Sequence, residues 1–277
     1  MQIQFSKMHG LGNDFIVIDA IQQQIQLTTQ QIKFLTHRHF GIGCDQLLLV
    51  EKSDMPQVDF RYRIFNADGG EVAQCGNGAR CFAKFVKDKG LTDKTEIAVE
   101  TASGIIYPKI KPNGMITVDM GQPIFQPEQV PFKAATKATQ YALEVAGKTY
   151  QIGVVSMGNP HAVLQVEDIH TAPVQDIGAA IESHLQFPER VNVGFMQICN
   201  VNEIYLRVFE RGVGETMACG TGACAAAVVG QLWQQLDSGV TVHLTGGDLS
   251  IDWTGSEQDS IFMTGEAIHV FEGTIDL

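Results

Sequence analysis

Short apolar runs rich in β-branched and aromatic residues recur along the chain. They predict strands at Phe15 to Asp19, Leu47 to Glu51, Phe60 to Phe65, Ile116 to Met120, Gln151 to Val155, Ile204 to Phe209 and Val240 to Leu244. Helical spacing follows Thr28, a suitable N-cap for "TTQQIKFLTHRHF", and returns around Val174 to His184. Two more helices are predicted at Ala79 to Lys89, closed by Gly90, and at Ala223 to Leu236. Gly121 to Gln140 carries three prolines and little periodicity, the mark of a linker or boundary. The pattern is mixed α and β, with strands dominant.

The last two helices both follow a cysteine, and the stretches leading into them are copies. Phe65 to Ala79 reads "FNADGGEVAQCGNGA" and Phe209 to Ala223 reads "FERGVGETMACGTGA"; without gaps they agree at seven of fifteen positions. A weaker echo upstream pairs Gly12-Asn13-Asp14 with Gly158-Asn159-Pro160. The period is too long for a solenoid. The chain reads as two copies of one unit, each a strand, a glycine-bearing turn, a cysteine and a helix.

Composition narrows the class. With 277 residues, 44% of them hydrophobic, the chain can bury a core for one large domain or two modest ones. The net charge is −12 and no basic stripe is present, which argues against nucleic acid as a partner. No run approaches the roughly 18 apolar residues that span a bilayer. The start, "MQIQFSKMHGLGNDF", shows no secretory pattern, so no membrane partner and a cytoplasmic location are expected. Six cysteines in a reducing compartment are expected as thiols. Cys75 and Cys81 are separated by five residues and no Cys-x-x-Cys knuckles pair up, so no metal site is expected.

A cysteine at a helix start faces unpaired N–H groups and the positive end of the helix dipole, which favour a thiolate. The glycines after it let a ligand approach the backbone. The N–H groups of Gly76 and Asn77, and of Gly220 and Thr221, are thereby candidates to cradle an anion. Two such units facing one another would set two sulfurs about one bound carboxylate. Inverting a carbon centre needs a base on one face and an acid on the other, and thiolate and thiol can exchange those roles when the reaction reverses.

The motifs also resemble a known family. "KMHGLGNDF" at Lys7 to Phe15, "GIGCDQLL" at Gly41 to Leu48, "FNADGGEVAQCGNGARC" at Phe65 to Cys81, "GNPHAV" at Gly158 to Val163, "ERVN" at Glu189 to Asn192 and "ERGVGETMACGTGA" at Glu210 to Ala223 are similar, in order, to the signatures of the diaminopimelate epimerases. The resemblance implies a homodimeric, cofactor-independent amino acid epimerase of lysine and peptidoglycan precursor biosynthesis, interconverting LL- and meso-diaminopimelate. It implies an α+β fold of two pseudo-symmetric domains, each a curled, barrel-like mixed or antiparallel sheet around a central helix. Residues 1–119, with 265–277 returning to them, would form one domain and 120–264 the other. The implied catalytic pair is Cys75 and Cys219, with His161 and Glu210 adjusting the thiols. Substrate contacts would come from Asn13, Gln46, Asn66, Gly76, Asn77, Asn159, Asn192, Glu210, Arg211, Gly220 and Thr221, with domain closure over the substrate. Arg211 is the basic residue of the motifs suited to pairing with a distal carboxylate.

Two rival readings stand beside this one. A proline-racemase-like enzyme would apply the same chemistry to a smaller amino acid. A redox-sensing thiol protein would use Cys75 and Cys219 as a reversible disulfide.

Overall fold

The computed structural model describes residues 2–72 and 75–277; Met1, and Ala73 and Gln74 of the first cysteine motif, lie outside them. The chain divides into two compact units. One runs up to Asp119 and regains Thr264–Leu277; the other is Met120–Met263.

The first unit contains β1 (Gln2–Gly10), β2 (Asn13–Asp19), α1 (Thr29–Thr36), β3 (Gln46–Glu51), β4 (Phe60–Asn66), β5 (Glu71–Val72), α2 (Gly76–Asp88), β6 (Val99–Thr101), β7 (Gly104–Ile106), β8 (Lys109–Ile110) and β9 (Ile116–Asp119). The second contains a 3₁₀ turn at Pro127–Gln129, then β10 (Tyr141–Val145), β11 (Lys148–Ser156), β12 (Pro160–Gln165), α3 (Val174–Glu182), β13 (Asn192–Asn200), β14 (Glu203–Glu210), β15 (Gly214–Thr216), α4 (Gly220–Leu232), β16 (Gly239–Leu244) and β17 (Gly247–Asp252). β18 (Phe262–Gly265) carries the chain back, and β19 (Ile268–Asp276) joins the first unit.

The duplication seen in the motifs extends to a run of seven strands and one side strand in each sheet. The first unit's sheet runs β19-β1-β2-β3-β4-β6-β7 with β5 on β4, and the second unit's contains the run β10-β11-β12-β13-β14-β16-β17 with β15 on β14. Along either path the pairings are antiparallel, antiparallel, parallel, antiparallel, parallel and antiparallel. β19 is therefore the counterpart of β10, supplied from the far end of the chain.

Each sheet curls, without closing, about one helix. α2 packs on β1, β2 and β3 through a face that buries Ala79, Phe82, Ala83 and Val86. α4 is apolar nearly all round, as a helix enclosed on every side must be, and is buried from Gly222 to Gly230. It packs on β11, β12, β13 and β14. The helix comes so close to β11 that a Cβ on Gly153 would lie 2.4 Å from Val229 Cγ1. The opposite sheet faces bury second layers. α1 contributes Ile32 and Leu35 against Leu47 and Leu49, and α3 contributes Val174 and Ile181 against Phe132, Phe187 and Phe195. Among the described residues no helix is long and apolar enough to cross a membrane.

The two-domain α+β architecture expected from the sequence is the one observed. The seven predicted strands all form, and Thr28 caps α1 through a reciprocal capping box with Gln31. Three details differ. α2 and α4 begin at Gly76 and Gly220, three residues before their predicted starts, so the cysteines themselves are the N-caps. α4 stops at Leu232 rather than Leu236, because Gln234 adopts a left-handed conformation at φ 58°. The Gly121–Gln140 stretch is no loose linker: Phe125, Val130 and Phe132 are buried, the last two within the second unit's core.

Candidate active site

In the first unit the predicted residues gather at one edge of the sheet. β2 and β3 are parallel and β4 is antiparallel to β3, so the starts of β2 and β3 and the end of β4 share that edge. Asn13 opens β2, Gln46 opens β3 and Asn66 ends β4, where Gln46 Nε2 donates to Asn66 Oδ1 at 2.9 Å. Cys75, half-buried, caps α2 with extended backbone at φ −144°, and its carbonyl accepts from Ala79 N at 2.8 Å. The Cys75 sulfur lies 3.8 Å from Asn13 Oδ1, which also accepts from Asn77 Nδ2 at 3.2 Å. The Asn13 amide nitrogen donates to Asp45 Oδ2 at 3.0 Å, and Asp45 is held by Arg38 at 2.6 Å. Arg38 also pairs with Asp14, and Lys7 does so from the other side; these cations hold the Asp14 carboxyl well below the usual range despite its burial.

The second unit repeats the arrangement with different side chains. Asn159 precedes β12, Asn192 opens β13, Glu210 ends β14 and Cys219 caps α4 at φ −124°. His161 on β12 pairs in register with Asn192 on the parallel β13. Asn192 is buried, and its amide joins two backbone segments: Nδ2 donates to Pro160 O at 3.0 Å, and Oδ1 accepts from Arg211 N at 2.9 Å. That fixes the turn on which the exposed Arg211 side chain sits, with Nη1 donating to Glu189 O at 3.1 Å. Glu210 accepts from the Thr216 hydroxyl at 2.5 Å.

The two cysteines differ in exposure. Cys219 is 5% exposed, and burial pushes its thiol well above the usual range, with the Glu210 carboxylate beside it adding to the rise. The Thr221 hydroxyl, 3.5 Å from the sulfur, and the Gly222 N–H pull the other way and do not prevail. The lowered thiol pKa expected from the helix terminus is thus outweighed here by desolvation, and Cys219 is a neutral thiol. Cys81 and Cys224 are fully buried within α2 and α4, consistent with packing roles, and burial pushes Cys81 up to about 12.

His161 is fully buried, its Nε2 3.1 Å from Asn159 Oδ1. Burial, with the Arg211 charge adding to it, holds it down to about 3, so the ring is neutral in the folded protein. The unfolded chain takes up a proton at this ring near pH 6.5 and the folded chain does not. Stability at this residue is therefore retained above about pH 6.5 and lost as pH falls toward 3, by about 1.4 kcal/mol per pH unit. His161→Gln should flatten the acid limb of a stability curve measured by urea denaturation between pH 7 and pH 4. An acid limb as steep as the wild type's would remove His161 from the acid response.

A scan against protein families matches residues 5–126 and 153–270 to the diaminopimelate epimerase model. The chain belongs to this family. It is 61% identical to a diaminopimelate epimerase of Thioalkalivibrio sulfidiphilus and 58% identical to one of Chromobacterium violaceum, in each case over the whole of both chains. Solved structures share the fold at greater distance. A PhzF-family phenazine biosynthesis protein of Bacillus anthracis superposes with a TM-score of 0.74 at 17% identity, covering all of both chains. A hydroxyproline epimerase of Agrobacterium vitis, with bound trans-4-hydroxy-L-proline, gives 0.70 at 15%, covering 99% of this chain and 92% of that one.

Sequence reasoning passed over several neighbours of these residues. Tyr62 is fully buried, with its hydroxyl 3.3 Å from Cys75 N and 3.5 Å from Cys75 O. Its place on the inward face of the Phe60–Phe65 alternation was the available signal. Asp45 lies inside a quoted motif, but its contact with Asn13 spans 32 residues, which no local pattern reports.

Proposed function

We propose that the chain is a diaminopimelate epimerase, an isomerase interconverting the LL and meso forms by a two-base mechanism in which Cys75 and Cys219 are the bases. The observation that carries this reading is the N-capping cysteine, repeated on two units of one strand order, in a chain whose relatives bear that name along their whole length.

One sulfur, as thiolate, takes the α-proton; the other, as thiol, delivers its proton to the opposite face of the same carbon. The reverse reaction exchanges the roles. Cys219, buried as a neutral thiol beside Glu210, is in the form that donates. The α-carbon of an amino acid is a very weak acid, so the developing charge on the carboxylate needs preorganised donors. The opening N–H groups of α2 and α4, from Gly76, Asn77, Gly220 and Thr221, would supply them. Asn13, Gln46, Asn66, Asn159, Asn192 and Glu210 would meet the remaining polar groups, and Arg211 the distal carboxylate. His161 and Glu210 would adjust the thiols, and closure of the two domains would exclude water. In this reading the helix N–H donors take the place of a pyridoxal or metal electron sink in holding the developing charge.

We further place the protein in the cytoplasm as a homodimer. β19 is an edge strand with Val270 51% and Phe271 46% exposed, and an apolar sheet edge of this kind favours covering by a second copy.

The test is incubation of LL-diaminopimelate in deuterated water under reductant. Formation of the meso isomer with deuterium at the α-carbon is the expected result. Turnover of proline in place of diaminopimelate would move the chain to the racemase reading, and no exchange with either would leave the thiol-sensor reading.

A further inference from the structure

The duplicated helices differ at one buried position in a way the fold does not require. Arg80 on α2 aligns with Cys224 on α4, five residues after each capping cysteine, and both are 0% exposed. The second unit builds the same helix on the same strand order with a small, uncharged side chain there. A buried guanidinium is costly unless its donors are matched, so its presence in one copy alone calls for a role beyond packing.

The hydrogen bonds show what it holds. Arg80 Nε donates to Glu266 O at 3.1 Å, which fixes the guanidinium against the returning C-terminal segment. Nη2 donates to Asn77 Oδ1 at 2.9 Å. An arginine has no acceptor, so the Asn77 amide must turn its oxygen toward Arg80 and its nitrogen toward Asn13. Asn77 Nδ2 then donates to Asn13 Oδ1, the same oxygen that lies 3.8 Å from the Cys75 sulfur. Asp45 sets the Asn13 amide from its other end by accepting from Nδ2. The backbone leaves room for this arrangement: a Cβ on Gly10 would lie 3.1 Å from Arg80 Nη2 and 3.4 Å from Asn77 Cβ.

We propose that Arg80 is a positioning residue for the Cys75 half of the site. By fixing the amide orientation of Asn77, and through it that of Asn13, it presents the Asn13 carbonyl oxygen to the Cys75 thiol. Asn13 is thereby an acceptor toward sulfur and substrate, suited to a thiol proton or an ammonium group and unsuited to a carboxylate. The inference rests on the epimerase reading for its meaning in turnover, but the orientation of the amides does not depend on it.

Two readouts keep those apart. The first is the rate of Cys75 alkylation by iodoacetamide, followed by peptide mass mapping, which needs no turnover. The second is kcat and KM with diaminopimelate. Both are measured on the wild type, Arg80→Met, Asn13→Ala and the double variant. Arg80 and Asn13 act in series here, so their effects must fail to combine. Arg80→Met should change the alkylation rate by about threefold or more and lower kcat by about tenfold, with KM moving less; added to Asn13→Ala, it should change either by less than about twofold. Arg80→Lys, which keeps the charge on a single donor nitrogen, should recover part of kcat. If Arg80→Met does not fold, Gly10→Ala, which crowds Nη2, takes its place in the cycle. Multiplicative losses in the double variant would overturn the proposal and leave Arg80 a packing residue. Absence of turnover in the wild type, with the alkylation cycle coupled as described, would overturn the epimerase reading and leave the positioning role standing.

Discussion

Cys75→Ala and Cys219→Ala should each lower epimerisation by about 10²–10⁴-fold, the range that a positioned proton-transfer group contributes. Either loss removes one face of the inversion, so the double variant should be little worse than the poorer single variant. The two singles should still differ in one respect. A site that keeps one base can abstract the proton from one isomer and return it to the face it left, so α-hydrogen exchange should outlast net inversion for a single isomer in each variant. The measurement is isomer ratio by chiral chromatography beside deuterium incorporation by mass spectrometry. Cys81→Ala, at a fully buried position on the same helix as Cys75's cap, is the control that should lose stability rather than chemistry. Turnover within threefold of the wild type in either capping-cysteine variant would end the two-base account.

Arg211→Met should lower kcat/KM by about 10²–10³-fold, chiefly through KM, as truncating one partner of a desolvated charge pair does. The side chain is exposed on a turn whose backbone is pinned from both sides, with Arg211 N on Asn192 and Gly212 N on Glu182 Oε1 at 3.0 Å. A rigid turn carrying an exposed guanidinium is prepared for a carboxylate, and little ordering cost remains for the ligand to meet. Arg211→Lys should recover only part of the loss, since an ammonium cannot pair with both carboxylate oxygens in the planar fork. Steady-state kinetics at several substrate concentrations separate the two parameters. A KM unchanged within twofold would show that the distal carboxylate binds elsewhere.

The predicted strands are legible because each is either an apolar run, as in the strand around Leu47–Val50 that is buried on both faces, or an alternation, as in the half-buried Val240–Leu244. The helices around the cysteines were legible as helices but not at their starts. Gly76, Gly78, Gly220 and Gly222 read locally as turn residues, whereas in the folded units they form the first turns of α2 and α4. Packing explains the choice: a Cβ on Gly78 would lie 3.0 Å from the Tyr62 hydroxyl, and one on Gly222 would lie 3.0 Å from Val208 Cγ2. The Gly121–Gln140 stretch does begin at the division between the units, but it is not a linker: its buried Phe125, Val130 and Phe132 follow no period that marks an element. Among the proposed site residues, the asparagines stand out through family resemblance alone, each being an ordinary turn residue by itself. Arg80 lay in plain sight inside a quoted motif. Its significance needed the comparison with Cys224, together with burial that only the folded helix reveals.

The return of β19 to β1 also sets an order in time. During synthesis the second unit's edge strand, β10, is made before β11 to β17, the strands that follow it across the sheet. In the first unit β1 and its neighbour β2 are made first, while the other side of β1 has no neighbour until Ile268 and the residues after it are made. The domain that begins the chain is thus the later of the two to be completed. The ribosome must deliver the whole intervening domain before the Glu266 carbonyl is there to receive Arg80.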